Sequence, residues 1–296
     1  LPLSAFAFLY IYFDGANMRS KNLFRSDSKL PIWINWALGL LPFVLLIAGW
    51  LWGAHYLRFM ELNYPDIDVA SSKLMPLPGE MWDGFIRTID PDRNHERRLV
   101  LDMAASIERF GTGLAISTLG IFVGLYMGTF PILEALCYRF LIFVDKIPPM
   151  LVAFILAMVL GVGEEAKIAL VVFAVTPGLT LEAFTRTKEI AREQIFKAQT
   201  LGATETEIAW RIHFPQILPK MIGSLRSNFK SAWGYVIAAE SISAFAGIGF
   251  RVGLLKRTNS MDVIIPYVII ATLFMFLLDY LFQWLESRCP GEKGGK

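Results

Sequence analysis

Cysteine and histidine are scarce in this chain, with two and three among 296 residues. Cys137 and Cys289 form no C-x-x-C unit and read as ordinary thiols. His55, His95 and His213 are scattered, and His95-Glu96 has no second histidine at zincin spacing, so no metal ligands are assigned. The sequence also lacks G-x-x-x-x-G-K-[ST], G-x-S-x-G and any Ser-His-Asp arrangement. That removes P-loop nucleotide binding and the usual hydrolases, and no catalytic residue is assigned. Charge is thin as well: 18% of residues, net +2, against about 25% in soluble domains. With no long basic run, nucleic acid is not a partner.

Apolar residues fill the space. They make up 55% of the chain, with 23 phenylalanines and a mean hydropathy of +0.49. The composition predicts an all-α, multi-pass membrane protein embedded in a lipid bilayer. The opening run "LPLSAFAFLYIYF" is too short to cross roughly 30 Å of hydrocarbon. It has neither a basic n-region nor a small-residue cleavage site before Asp14, so it reads as an interfacial helix or the tail of a span rather than a signal peptide. Six stretches are long and apolar enough to span: 36–59, 110–131, 140–161, 166–184, 232–250 and 262–285. The fifth is the weakest, since it carries Glu240. Basic residues cluster before the first span and across 185–231, which places both in the cytoplasm by the positive-inside rule. Arg251, Lys256 and Arg257 go against it. The domains expected are therefore an apolar segment and basic cytoplasmic linker (1–35), a transmembrane domain (36–285) with an external loop at 61–98 and a cytoplasmic loop at 185–231, and a cytoplasmic tail (286–296).

Within the spans, Gly120, Gly124 and Gly128 make a doubled G-x-x-x-G face for close helix packing, inside one chain or between subunits. Adjacent Pro148 and Pro149 predict a broken third span, and Pro177-Gly178 a second break in the fourth. Such breaks survive in lipid only where protein or water satisfies the freed carbonyls, so Pro148, Pro149 and Pro177 either line a pathway or simply set the geometry of the bundle. Glu240, an intramembrane carboxylate, is a fourth pathway candidate. Its alternative role, and the reading preferred for Asp279, is a hydrogen bond to a neighbouring helix.

The stretch "TLGATETEIAWRIHFPQILP" (200–219) is unlike the rest. Gly202 follows Leu201 as a helix-ending glycine does. Thr204 and Glu207 have capping-box spacing. A second helix is expected from Glu205 to Phe214, stopped by Pro215. Its stripe of Ile208, Ala209 and Ile212 must be buried, either on the chain's own helices or in a partner's groove.

This loop resembles that of permeases in binding-protein-dependent ABC importers, whose pattern is E-A-A-x-x-x-G, nine residues, then I-x-L-P. Here Gly202 is followed by nine residues and Ile212-His213-Phe214-Pro215. Ala198 matches the second alanine; Phe196, Lys197 and Phe214 depart from the pattern. "LMPLPGEMW" (74–82), "KIPPM" (146–150), "GVGEEAKI" (161–168) and "VIAAES" (236–241) resemble motifs of the nitrate/sulfonate/taurine/bicarbonate branch. The resemblance covers about 70–285.

The resemblance implies the MetI-like, type I fold in a bacterial inner membrane, and a pathway built from two permease copies. It implies separate ATPase subunits, which hold the ATP and Mg, and an external solute-binding protein; this chain itself carries no cofactor and no enzymatic activity. It assigns Ala198, Gly202, Ala203, Thr204, Glu205, Glu207, Ile208, Ile212 and Pro215 to ATPase coupling; His213, beside them, reads as a packing residue rather than a pH switch. The cargo implied is a small polar anion. The rival readings are a self-sufficient secondary transporter or channel using Glu240, and a membrane scaffold without transport.

Overall fold

The computed structural model describes residues 32–64, 71–89 and 98–288, and every element among them is helical or a turn between helices. The apolar run 1–13, the basic linker, Asp66, Asp68, Asp90, Asp92 and the tail beyond 288 lie outside the described residues.

Helix α1 (Ile32–Asn63) has 32 residues, about 48 Å of rod at 1.5 Å per residue. It is apolar all round rather than along one stripe, the pattern of a helix surrounded by lipid. Residues from Tyr64 onward form a separate unit. It contains α2 (Ser71–Leu74), α3 (Pro78–Ile89), α4 (Arg98–Ser117), α5 (Leu119–Thr129), α6 (Pro131–Asp145) and α7 (Pro149–Leu160). The chain continues through α8 (Glu164–Lys188), α9 (Arg192–Thr200), α10 (Glu205–Ile208), a π-helical turn (Ala209–His213), α11 (Phe214–Ser243), α12 (Ile248–Lys256) and α13 (Met261–Arg288).

Helix α8 is the axis of this unit. Its Leu170, Val171, Val175, Leu179 and Ala183 are buried, and α4, α5, α7 and α11 pack around it. Gly120, Gly124 and Gly128 all face α8 of the same chain. A Cβ at Gly120 would lie 2.6 Å from Thr180 Oγ1, one at Gly124 would collide with the Thr180 carbonyl, and one at Gly128 would lie 2.5 Å from Thr187 Cβ. Missing side chains here let two backbones meet, so dispersion contacts replace the hydrophobic drive that lipid does not supply.

Several boundaries differ from expectation. Among the described residues four helical stretches, α1, α4–α5, α8 and α13, or five if the bent pair α6–α7 is one span, are long and apolar enough to cross a membrane, where the sequence offered six candidates. The segment expected as span five belongs to α11, which has 30 residues but carries more polar side chains than the other long helices; its Arg226, Ser224, Asn228 and Glu240 find partners within the protein. It ends at Ser243, short of 250. Span two starts near Leu99 rather than 110, because Asp102, Ser106 and Arg109 are buried and paired instead of lying in a loop. The 61–98 segment is not all loop either: α3 packs on the start of α13, with Arg87 Nη2 2.9 Å from Asp262 Oδ2. At the other end, α13 runs to Arg288, beyond the expected 285.

The prolines divide. At Pro148-Pro149 the chain turns by 97° between α6 and α7, with Pro149 at the first helical position, where no donor is lost. At Pro177 the expected break is absent: α8 runs on uninterrupted, with Pro177 buried. Close packing against α5 holds that helix together despite the missing N–H.

Candidate functional site

Two features stand at opposite ends of α8. The first is a buried ionic cluster around its N-terminus. On α4, Asp102, Ser106 and Arg109 recur at i, i+4 and i+7 and share one face. All three are buried, as is Glu240 near the end of α11. Arg109 Nη1 donates to Glu240 Oε1 at 2.6 Å and to the Ala246 carbonyl at 2.8 Å. Its remaining edge holds Glu164 in a fork: Nε pairs with Oε2, and Nη2 lies 2.8 Å from Oε1. Lys167, one turn along α8, places Nζ 2.9 Å from the same Oε1.

The Glu240 carboxylate is filled. Besides Arg109 it accepts from Ser106 Oγ (2.8 Å) and from the Gly249 N–H (2.8 Å). Ser106 Oγ in turn accepts from Ile248 N, and Asp102 accepts from Gly247 N, Arg251 Nε and Tyr267 OH. The three N–H groups at the start of α12, which have no intrahelical partner, are thus satisfied by side chains of α4 and α11. Gly247 has φ +124°, and a Cβ there would lie 2.6 Å from Arg109 Nη1, so only glycine fits. Arg251, which went against the charge rule as a loop residue, is neutralised by Asp102 at 2.8 Å.

The second feature is the helical segment after α8. Helix α9 closes in a Schellman motif: Gly202 (φ +86°) donates to the Gln199 carbonyl, and Ala203 to that of Ala198. The capping box is complete. The Thr204 side chain accepts from Glu207 N, and Thr204 N donates to Glu207 Oε2 at 3.0 Å. Those bonds to the charged form hold the Glu207 carboxyl below the usual value, the Thr204 N–H first and its hydroxyl second.

Pro215 does not end this element. In an α-helix its ring would clash with the carbonyl four residues back. The π turn displaces that carbonyl, with Phe214 N donating to Ala209 O, and the helix continues as α11. The apolar stripe goes inward. Ile208 and Ala209 are fully buried in the chain's own structure. Trp210 donates to Tyr126 OH at 2.9 Å and packs on Phe122. His213 Nδ1 lies 2.9 Å from Thr129 Oγ1. Burial holds the His213 imidazole below its ordinary pKa, and its buried Nε2 finds no partner. Outward the segment is bare: Leu201 is 89% exposed and Phe196 62%, with Gly202, Thr204, Glu205 and Glu207 also exposed.

Sequence reasoning had singled out Glu240 but missed its partners Arg109 and Ser106, and it treated Glu164 and Lys167 only as motif letters. The i, i+4, i+7 polar stripe on α4 was the available signal. Among the described residues no three His, Cys, Asp or Glu side chains are grouped to hold a metal ion.

Residues 116–289 match the family described as binding-protein-dependent transport system inner membrane component. The chain belongs to that family. It is a multi-pass membrane permease of an ABC importer. Among its relatives is the taurine transport system permease protein TauC of Escherichia coli K12, 26% identical over 223 residues, 75% of this chain and 81% of the relative. The bicarbonate transport system permease protein CmpB of Synechocystis is 24% identical over 227 residues, 74% and 81% of the two chains. Among solved structures, an inward-facing form of the MetNI methionine ABC transporter superposes with TM-score 0.50 at 17% identity, covering 61% of this chain and 94% of that one. This last likeness concerns fold, and it gives the permease the MetI-like, type I architecture.

Proposed function

We propose that this permease carries a small polar oxyanion of the nitrate, sulfonate, taurine or bicarbonate kind, and that residues 192–215 are its docking element for separate ATPase subunits, where ATP and Mg are held. The observation carrying the coupling reading is the contrast between the two faces of that element. One face is bolted to α5 through Trp210 and His213, with Ile208 and Ala209 buried beside them. The other leaves Phe196 and Leu201 largely exposed. Exposed apolar side chains on an element closed by a Schellman turn and a capping box are suited to insertion into a partner's groove. On this reading the apolar stripe is the root of the element: Ala198, Gly202, Ala203, Thr204, Glu205 and Glu207 shape the tip, and the buried Ile208 and Ala209 anchor it, with Ile212 half-buried and Pro215 exposed beside them.

The anionic cargo is supported by the names of the taurine and bicarbonate relatives. Two permease copies enclosing the pathway, an external binding protein that delivers the solute, and orientation of residues 192–215 towards the cytoplasm complete the proposal. The Pro148-Pro149 bend between α6 and α7 is the proposed pathway-lining break. A self-sufficient transporter using Glu240 is not favoured, since that carboxylate is fully buried and already accepts from three donors.

Reconstitution tests this reading. Proteoliposomes holding the permease with its ATPase and binding protein should take up labelled taurine, bicarbonate or nitrate only with ATP. Uptake by the permease alone, driven by an ion gradient, would overturn it.

A further inference from the structure

The ionic cluster contains an arrangement that structural pairing does not require. Arg109 and Lys167 are almost completely withdrawn from solvent, yet both are aimed at a carboxylate, Glu164, whose side chain is 58% exposed. Glu240 is different: it is fully buried and tied down by Ser106 and the Gly249 N–H independently of Glu164. The charges are simple to follow. With Glu164 seated, the two cations face two carboxylates. With Glu164 swung away, Arg109 and Lys167 together exceed Glu240 by one positive charge.

The geometry of the seat is specific. Arg109 offers its Nε/Nη2 edge, the planar fork that binds two oxygens of one anion. Lys167 adds a donor to one of those oxygens. The seat lies at the start of α8, where the helix dipole also favours negative charge. Glu164 is the first residue of that helix, preceded by Gly161 (φ +78°) and Gly163, and a Cβ at Gly161 would meet nothing within 4 Å. The carboxylate therefore sits at the solvent-facing tip of α8, with its side chain 58% exposed.

We propose that Arg109 and Lys167 form a binding site for a monovalent oxyanion, in which Glu164 is a tethered stand-in that the anion displaces. This rests on the anionic-cargo reading and makes it specific: the site takes a singly charged group that presents two oxygens along one edge, as a carboxylate, bicarbonate, nitrate or sulfonate does. A tethered competitor keeps affinity low, and a transit site must release what it binds. The seat lies at the end of α8 away from the docking element, which is the side where a delivered solute arrives.

The test uses the purified full-length chain in detergent, melted in sodium chloride or sodium methanesulfonate at equal ionic strength. Glu164→Gln leaves an uncompensated cation. Its melting temperature should drop by several degrees in chloride and be restored saturably by methanesulfonate, with half-saturation at least tenfold below that of the wild type. Glu164→Asp, which shortens the reach but keeps the charge, should show the same preference to a smaller degree, and it decides the matter if the Gln variant does not fold. Adding Lys167→Gln to Glu164→Gln should remove the methanesulfonate response. Equal responses to chloride and methanesulfonate in the variants, or a response that survives loss of Lys167, overturns the site. Methanesulfonate rescue together with ATP-driven uptake of an uncharged solute alone would leave the site standing and sink the anionic-cargo reading; anion uptake without rescue would do the reverse.

Discussion

Arg109 Nη1 stands 2.6 Å from Glu240 Oε1, and neither side chain is more than 5% exposed. Such a pair is held by mutual need more than by net attraction, because removing one partner strands the other charge out of water. Arg109→Met should therefore destabilise the purified permease by about 3–5 kcal/mol. The double variant Arg109→Met, Glu240→Gln should recover most of that loss. Thermal or denaturant melts of the four proteins check this as a double-mutant cycle. Equal losses in the single and double variants would show that pairing is not what holds this corner.

That pair marks the division between what the sequence discloses and what it does not. Glu240 stood out because a carboxylate in an apolar stretch is conspicuous. Arg109 did not, since beside Glu108 and after a charged run it looks like a loop residue, and only folding brings it across the 131 positions to Glu240. The prolines teach a related lesson. Pro148-Pro149 and Pro177 carry the same local handicap, but the first pair sits where the chain turns and the other is clamped by a glycine face on α5. The Schellman turn and capping box at 198–207 were readable because both are local, each written within about six residues. The π turn was not, since nothing in Ala209–His213 announces that Pro215 will be accommodated rather than obeyed.

Gly202 holds φ +86° in open space, so a substitution there meets no neighbour and acts only through the backbone. Gly202→Val should impose about 1–2 kcal/mol of left-handed strain on an exposed turn. The expected result is a strong loss of ATP-driven uptake in proteoliposomes with a melting temperature within a few degrees of wild type. Normal uptake would detach this turn from coupling.

The cap beside it can be probed separately. Thr204→Ala should cost about 1 kcal/mol of local helix stability, seen as faster amide exchange across residues 205–208 with exchange in α8 unchanged. Acid should mimic the mutation. The Glu207 pKa is lowered by bonds made only in the folded segment, so its contribution is present above the ordinary value of 4.5 and is lost as pH falls below that value and through the folded one. Protection of the Thr204 and Glu207 amides should fade over that acid range in wild type and be insensitive to it in Glu207→Gln.

His213 has the opposite chemistry and a different window. Thr129 Oγ1 donates to Leu125 O and so accepts from His213 Nδ1. Nε2 is then an unprotonated, buried nitrogen without a partner. Burial is the main cause of its lowered pKa; Glu205 opposes the shift and Lys188 adds to it. The unfolded chain takes up a proton as pH drops below about 6.5 while the folded chain resists, so stability is full above 6.5 and declines from there down to the folded value. Melting temperatures at pH 7.5 and 5.5 should differ more in wild type than in His213→Gln. Identical pH responses would place the titrating group elsewhere.

Gly124 and Gly111 separate packing from propensity on the same stretch of chain. A Cβ at Gly124 would run into the Thr180 carbonyl and Ala183, whereas one at Gly111 would meet nothing within 4 Å. Gly111→Ala should stabilise by about 0.5–1 kcal/mol, since alanine loses less backbone freedom on folding into a helix. Gly124→Ala gains the same entropic term but must push α5 off α8, and overpacking of that sort costs about 1–3 kcal/mol. Because Trp210 and His213 hang on Tyr126 and Thr129 just beyond Gly124, the displacement should reach the root of the docking element. Gly124→Ala is therefore expected both to lower the melting temperature and to reduce coupled uptake, while Gly111→Ala raises the first and leaves the second alone. A stabilising Gly124→Ala would mean that the two helices are not in contact along this face.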